Sequence, residues 1–168
     1  VWVWGLYDSL LLGGLLQAPG TPTQVGGLSS IVAVAAGGSH GLALRSDGTV
    51  WAWGSNNSGE LGDGSTANRN PAVQVSGLSG AVAVAAGGSH SLALKSDGSV
   101  WAWGNNAFGQ VGDGSLSHRS TPVIVTGGTG VAAVAAGTSF SLALKLDGSG
   151  WLWGDNRAGQ LGDGTTVS

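Results

Sequence analysis

The sequence predicts an all-β protein built from repeated units of four short antiparallel strands. Three observations carry that prediction. The string "SVWAWGNNAFGQVGDG" at 99–114 recurs as "TVWAWGSNNSGELGDG" at 49–64 and as "SGWLWGDNRAGQLGDG" at 149–164. Glycine supplies 33 of the 168 residues, nearly three times the usual share, without a collagen period. The segments between the glycines are short runs of Val, Ala, Leu and Trp, and no helical period of useful length appears.

Composition narrows the class. Hydrophobic residues make up 42%, enough to bury a core, and charged residues only 9%. A net charge of −3 is too small to imply a partner by its field. The six Lys and Arg are scattered, so nucleic acid is not an expected partner. Cysteine is absent, which excludes disulfides, thiolate catalysis and Cys-based zinc sites and leaves the redox compartment open. No apolar run reaches the ~18 residues of a membrane-spanning helix, and no membrane partner is expected. The opening "VWVWGLYDSLLLGGLLQAPG" has an apolar middle but no positive flank, so it reads poorly as a signal peptide. Methionine is also absent, so the sequence is expected to be processed, trimmed or part of something longer. None of this assigns a compartment.

The repeat has a period of about 50 residues. Val1-Trp2-Val3-Trp4-Gly5 is an early copy of the strand Val50-Trp51-Ala52-Trp53-Gly54. Strand A is expected at 71–75, with copies at 21–25 and 121–125. Strand B (81–86) is apolar almost throughout, as a strand covered on both faces should be. Strand C (90–95) puts Leu92 and Leu94 on one face and Ala93 on the other. Strand D (100–104) puts Trp101 and Trp103 on one face, with Val100 and Ala102 opposite. Strands C and D are joined by Asp97-Gly98, repeated at Asp47-Gly48 and Asp147-Gly148. That pair predicts a hairpin with a type I′ turn, which needs positive φ at both central residues. Antiparallel units of this size with a two-sided core suggest propeller blades. The expected organisation is one domain over 1–168, with units at 1–20 (degenerate), 21–70, 71–120 and 121–168.

The combined pattern, an Ala-Ala-Gly stretch before "HSLAL", the Asp-Gly turn, "VWAWG" and "GQLGDG", resembles the RCC1 (regulator of chromosome condensation) repeat family. The resemblance covers 21–164 and implies a β-propeller of seven blades. The chain itself offers about three full blades and one extra strand, which do not close a ring. The expected completion is by further blades or by a second copy in a homodimer, since two copies hold roughly seven repeat lengths. In the first unit Leu6–Leu16 replaces the polar loop with an apolar one, an expected buried contact.

The Trp pairs, Trp51 and Trp53, Trp101 and Trp103, Trp151 and Trp153, recur in register and read as core anchors rather than a ligand platform. Some relatives sense ultraviolet light through a Trp here replaced by Ser39, Ser89 and Ser139, so that function is not carried over. His40 and His90 lie beside serines, with Asp47 and Asp97 following. A catalytic triad needs one converging site, whereas this trio recurs, and Phe140 takes the His position in the third unit. His40, His90, Asp47, Asp97 and Asp147 are therefore expected to be structural. The Gly-Asp-Gly turns at Asp63, Asp113 and Asp163 lack the alternating carboxylates of a calcium loop. Asn56-Asn57-Ser58 matches a glycosylation sequon, a common chance match. No metal and no cofactor is expected.

The positions that differ between units are where a repeat protein builds a binding surface. They include Asn57, Arg69, Phe108, His118, Arg119 and Arg157, the candidate binding residues. The sequence thus predicts a non-enzymatic propeller segment acting as a protein-binding scaffold. The family resemblance implies one alternative, guanine-nucleotide exchange on a small GTPase. A glycan-binding or purely structural propeller is another.

Overall fold

A computed structural model describes residues 1–4 and 21–168. The apolar stretch Leu6–Leu16 lies outside the described residues. All described elements are strands. β1 (Trp2–Val3) pairs with β2 (Thr23–Gln24) as a two-stranded ribbon. The first blade contains β3 (Ile31–Ala36), β4 (His40–Arg45), β5 (Val50–Gly54) and β6 (Arg69–Gln74). The second contains β7 (Ala81–Ala86), β8 (His90–Lys95), β9 (Val100–Gly104) and β10 (Arg119–Ile124). The third contains β11 (Val131–Ala136), β12 (Phe140–Lys145) and β13 (Gly150–Gly154).

The blades are cut in a different phase from the sequence units. Strand A does not open its own blade. It pairs with the preceding strand D, as Ala52 with Val73 and Ala102 with Val123. Each four-stranded sheet therefore takes its outermost strand from across the unit boundary and hands the chain on to the next blade.

Each blade has a leucine face and a tryptophan face, because side chains alternate along a strand. In the first blade the register places Ala33 and Ala35 beside Leu44 and Leu42, and these beside Val50 and Ala52. This leucine face packs on Val84, Ala86, Ala93, Trp101 and Trp103 of the second blade. The leucine face of the second blade packs in the same way on Val134, Ala136, Ala143 and Trp153 of the third. Val1, Val3, Val25 and Leu28 cover the tryptophan face of the first blade around Trp51 and Trp53.

Two sequence expectations are corrected. Strand B is not covered on both faces throughout. Val32 and Val34 on β3 are 62% and 58% exposed, and Val82 on β7 is 54% exposed. In β3, Ala33 and Ala35 pack on the second blade, while Val32 and Val34 stay exposed and only Ile31, before the register shift, joins the cluster that β1 covers around Trp51 and Trp53. The Asp-Gly turn is also not type I′. Gly48 has φ 79°, whereas Asp47 is absent from the positive-φ residues. The Gly48 N–H closes a turn on the Arg45 carbonyl, and Arg45 N–H bonds the Thr49 carbonyl. This is a type I turn followed by a left-handed glycine, a longer hairpin loop. Asp47 accepts from the Thr49 amide at 2.9 Å and from its hydroxyl at 2.6 Å, which holds the loop. Those two bonds, hydroxyl first, keep its carboxyl below the ordinary range, and Asp97 and Asp147 are held likewise by Ser99 and Ser149.

Candidate functional site

Strand alternation puts two sets of loops at opposite ends of the blades. The β3–β4 and β5–β6 connections meet at one end, where Ser55 N–H bonds the Ser39 carbonyl. The hairpins carrying Asp47, Asp97 and Asp147 meet the β6–β7 type of connection at the other, where Ala81 N–H bonds the Gly48 carbonyl. Every candidate binding residue belongs to the first end. The structural aspartates of the hairpins lie at the second.

At the first end the long loop after each Trp strand is organised by one buried asparagine. Asn56 is fully buried and its side-chain amide donates to the Ala67 carbonyl at 3.0 Å and to the Ser65 carbonyl at 3.1 Å. Its side-chain oxygen accepts from Leu61 N–H at 2.9 Å. Asn106 and Asn156 repeat this arrangement. An amide so engaged is unsuited to glycosylation. Sequence reasoning missed this role; the signal was an Asn at the same place in the three full units.

Three candidate binding residues hold their own loops. Arg69 pairs with Asp63 at 2.7 Å and Arg119 with Asp113 at 2.6 Å. Burial pushes the Asp63 and Asp113 carboxyls up, but bonds from the following serine and from the arginine outweigh it and leave both below the usual range. His118 Nδ1 accepts from Asn106 N–H at 3.0 Å. Asn57 is exposed at its tip, reaching Ser55 Oγ at 3.4 Å.

Phe108 and Arg157 come together across two blades. The Arg157 guanidinium lies 4.1 Å from the centre of the Phe108 ring. Asp155 holds that guanidinium with bonds of 2.9 and 3.0 Å. Phe108 also lines an open cavity of about 580 Å³ with Leu116, Trp153 and Ser168. Leu116 is 68% exposed, an unusual degree for a leucine beside an apolar hollow.

Beneath these loops the blades are joined by a buried polar chain. His40 Nε2 lies 2.9 Å from Ser91 Oγ, which donates its one hydrogen to the Glu60 carbonyl at 2.8 Å. Nε2 must then be the protonated nitrogen of the ring. Trp103 Nε1 donates to the same carbonyl at 2.7 Å. His90, Ser141, the Gln110 carbonyl and Trp153 repeat the joint one blade on. Burial pulls both imidazole pKa values down to about 4, with His40 a further cause at His90. Close backbone approach is required here: a Cβ on Gly87 would fall 2.2 Å from the His90 ring and 2.5 Å from the Gly137 carbonyl. His40 therefore bonds a serine of the next blade, and Asp47 stands at the far end of its strand; no triad forms. Among the described residues no group of three His, Cys, Asp or Glu could hold a metal.

The Trp pairs divide by position. Trp103 is 0% exposed and Trp53 4%, whereas Trp151 is 41% exposed. Lys145 covers the Trp151 ring at 3.6 Å.

Two blades of four antiparallel strands and one of three, stacked leucine face on tryptophan face with their loops gathered at two ends, define a segment of a β-propeller. The chain belongs to the regulator of chromosome condensation (RCC1) repeat family: two forms of that repeat match, one at 47–94 and 97–144, the other at 31–60 and 81–110. The human E3 ubiquitin-protein ligase HERC2 is 43% identical over 77 residues, covering 44% of this chain and 2% of that protein. Protein pim1 of Schizosaccharomyces pombe is 46% identical over 44 residues, covering 26% of this chain and 8% of that protein. Among solved structures, Prp20p from Saccharomyces cerevisiae superposes with a TM-score of 0.83 at 24% identity, covering 99% of this chain and 44% of that one. Human WBSCR16 superposes with a TM-score of 0.73 at 24% identity, covering 81% of this chain and 36% of that one. The chain thus spans a small fraction of these curated relatives and less than half of these solved propellers.

Proposed function

We propose that residues 1–168 form one domain that works as a non-enzymatic, protein-binding segment of a propeller, through the loops that follow its Trp strands. The observation that carries this reading is the Phe108–Arg157 contact at 4.1 Å. It joins the varied tips of two successive blades beside the apolar cavity, on a scaffold whose other residues repeat. An aromatic ring stacked with an arginine is the type of pair that anchors protein interfaces. Asn57 extends the same row of tips, while Arg69, His118 and Arg119 shape the loops that present it. Prp20, which shares the fold, has been crystallised with Kap60, and Prp20p has binding properties to Gsp1p and histones. That a propeller of this shape holds proteins supports the same use here.

The test is affinity capture with the native chain and with the double variant Phe108→Ala, Arg157→Ala, read by quantitative mass spectrometry. Proteins held by the native chain should be lost from the variant while its unfolding midpoint stays within experimental error. An unchanged set of captured proteins contradicts the loop assignment. Faster release of labelled nucleotide from a small GTPase would instead support the exchange-factor reading.

A further inference from the structure

The contact between Phe108 and Arg157 is built by three departures from the repeat that occur together. Where the first blade meets the second, Asn105 Nδ2 donates to Ser58 Oγ at 3.4 Å. Asn105 spends its side-chain oxygen on its own loop, accepting from Ala107 N–H and from Gln110 Nε2, each at 3.0 Å. Where the second blade meets the third, Phe108 stands in the place of Ser58, Asp155 in that of Asn105 and Arg157 in that of Ala107. The Asp155 carboxylate is 8% exposed and accepts from Arg157 N–H at 3.1 Å, as Asn105 does from Ala107. Unlike an amide, it can accept at both oxygens, and both also take the guanidinium.

Those two bonds, from Nε at 2.9 Å and from Nη2 at 3.0 Å, occupy one edge of the planar group. The Phe108 ring lies on one of its faces. A guanidinium carries five N–H donors and no acceptor. The donors on its outer Nη edge have no partner among the described residues, and the side chain is 66% exposed. That exposure belongs to the position: Asn57 and Ala107, at the same place in loops that a further blade follows, are exposed too. Arg69 and Arg119 differ, because each turns Nε onto its loop aspartate and Nη2 onto the following serine. Arg157 is therefore fixed by an edge and a face while its outer fork points to solvent, so little freedom is lost when that fork is used.

We propose that the Phe108–Asp155–Arg157 cluster receives a single carboxylate, the Asp or Glu side chain of an acidic segment on the protein that the loops bind. This rests on the reading of the loop tips as a protein-binding surface and names the chemistry that one tip selects. Two carboxylate oxygens match the outer Nη edge with two parallel bonds. Arg157 makes the contact; Asp155 and Phe108 position it. Because Asp155 already offsets the charge of Arg157, the cluster is close to neutral. A singly charged, planar group therefore suits it better than a doubly charged phosphate, which Asp155 repels. The Phe108 ring keeps water from one face of the new ion pair and so strengthens it.

The experiment titrates the capped tripeptide acetyl-Ala-Glu-Ala-amide into the whole chain labelled with nitrogen-15 arginine, at pH 7, and follows the guanidinium signals by NMR. A saturable shift of the Arg157 signals is expected, with those of Arg69 and Arg119 unmoved. The Gln counterpart of the peptide should bind about fivefold more weakly, the charge on the acceptor being lost. The peptide substitution leaves the protein untouched, so misfolding cannot mimic the result. A Phe108→Leu chain, which keeps Asp155 and Arg157, should bind the Glu peptide about threefold more weakly. No shift at Arg157, equal affinity for the Glu and Gln peptides, tighter binding of the phosphoserine counterpart, or full affinity in Phe108→Leu would each overturn the proposal. If captured proteins are lost from the Phe108→Ala, Arg157→Ala chain while Glu and Gln peptides bind alike, this inference falls and the broader reading stands. A captured set that survives the double variant sinks the broader reading, and this one with it.

Discussion

The second and third blades carry nearly the same sequence but differ in what lies against them. In the second, Leu92 and Leu94 are 0% and 4% exposed, because the third blade lies on them. In the third, Leu144 is 48% exposed and borders an open hollow of about 280 Å³ with Ala133, Ala135 and Leu152. Ala102 is 0% exposed inside a paired strand, while Leu152 at the matching place is 38% exposed. A repeat sequence therefore sets which residues can be core, and the neighbouring blade decides which of them are. The polar joint follows the same rule. Both described joints pair a His with a Ser one blade on, whereas Gly41 and Phe140 stand where the outward Ser and His of the end blades would be.

The largest contrast is expected at the tryptophans. Trp103→Ala empties a fully buried site and removes the bond to the Glu60 carbonyl, so unfolding free energy should fall by about 3–5 kcal/mol. Trp151→Ala, half open to solvent under Lys145, should cost about 1 kcal/mol or less. Denaturant midpoints of the two variants measure both. Equal losses would break the comparison.

Acid should act next, through His40 and His90. Their folded pKa values of about 4 lie below the free value of 6.5. Between those values the unfolded chain binds protons that the folded chain refuses, so stability rises with pH. It is complete above about pH 6.5, declines as pH falls toward 4, and gains no further loss from these groups below that. Each histidine is worth up to ~3 kcal/mol over this window. A His90→Phe variant, which copies the third blade, should flatten about half of the slope in a pH series of unfolding curves.

Ser141→Ala should cost about 1–3 kcal/mol, since it leaves the buried His90 Nε2 and the Gln110 carbonyl without their shared partner. At the small end, Leu144→Ser should stay within about 0.5 kcal/mol. A much larger loss would show that the leucine face of the third blade is covered in solution.

These contrasts bear on what the sequence could disclose. Alternation along Leu92–Leu94 and Trp101–Trp103 was legible because a sheet has only two faces, and the same residues recur at one spacing. The hairpin at Asp97-Gly98 was legible as a connection, but its turn type was not. Two-residue and longer loops share the Asp-Gly pair, and the Ser99 hydroxyl and amide that hold Asp97 distinguish them only in three dimensions. The phase of the blades was hidden for a related reason. A period of about 50 residues is the same wherever its origin is placed, and only the pairing of Ala102 with Val123 shows that strand A closes the blade before it. Of the candidate site, the varied positions were visible as departures from the repeat. Their contacts were not: Arg119 turned inward to Asp113, while Phe108 found Arg157 on another blade. The joint from His40 to Ser91 was invisible as chemistry because its partners lie a whole repeat apart.

The most direct test of the central claim, that a neighbouring blade and not the repeated sequence itself sets stability, is native-state amide hydrogen exchange over the whole chain. Residues 90–104, packed between two blades, should exchange slowest, near the global unfolding rate. Residues 140–154, with the same motif but one open face and an open edge, should exchange at least tenfold faster. Equal protection of the two segments would contradict the account.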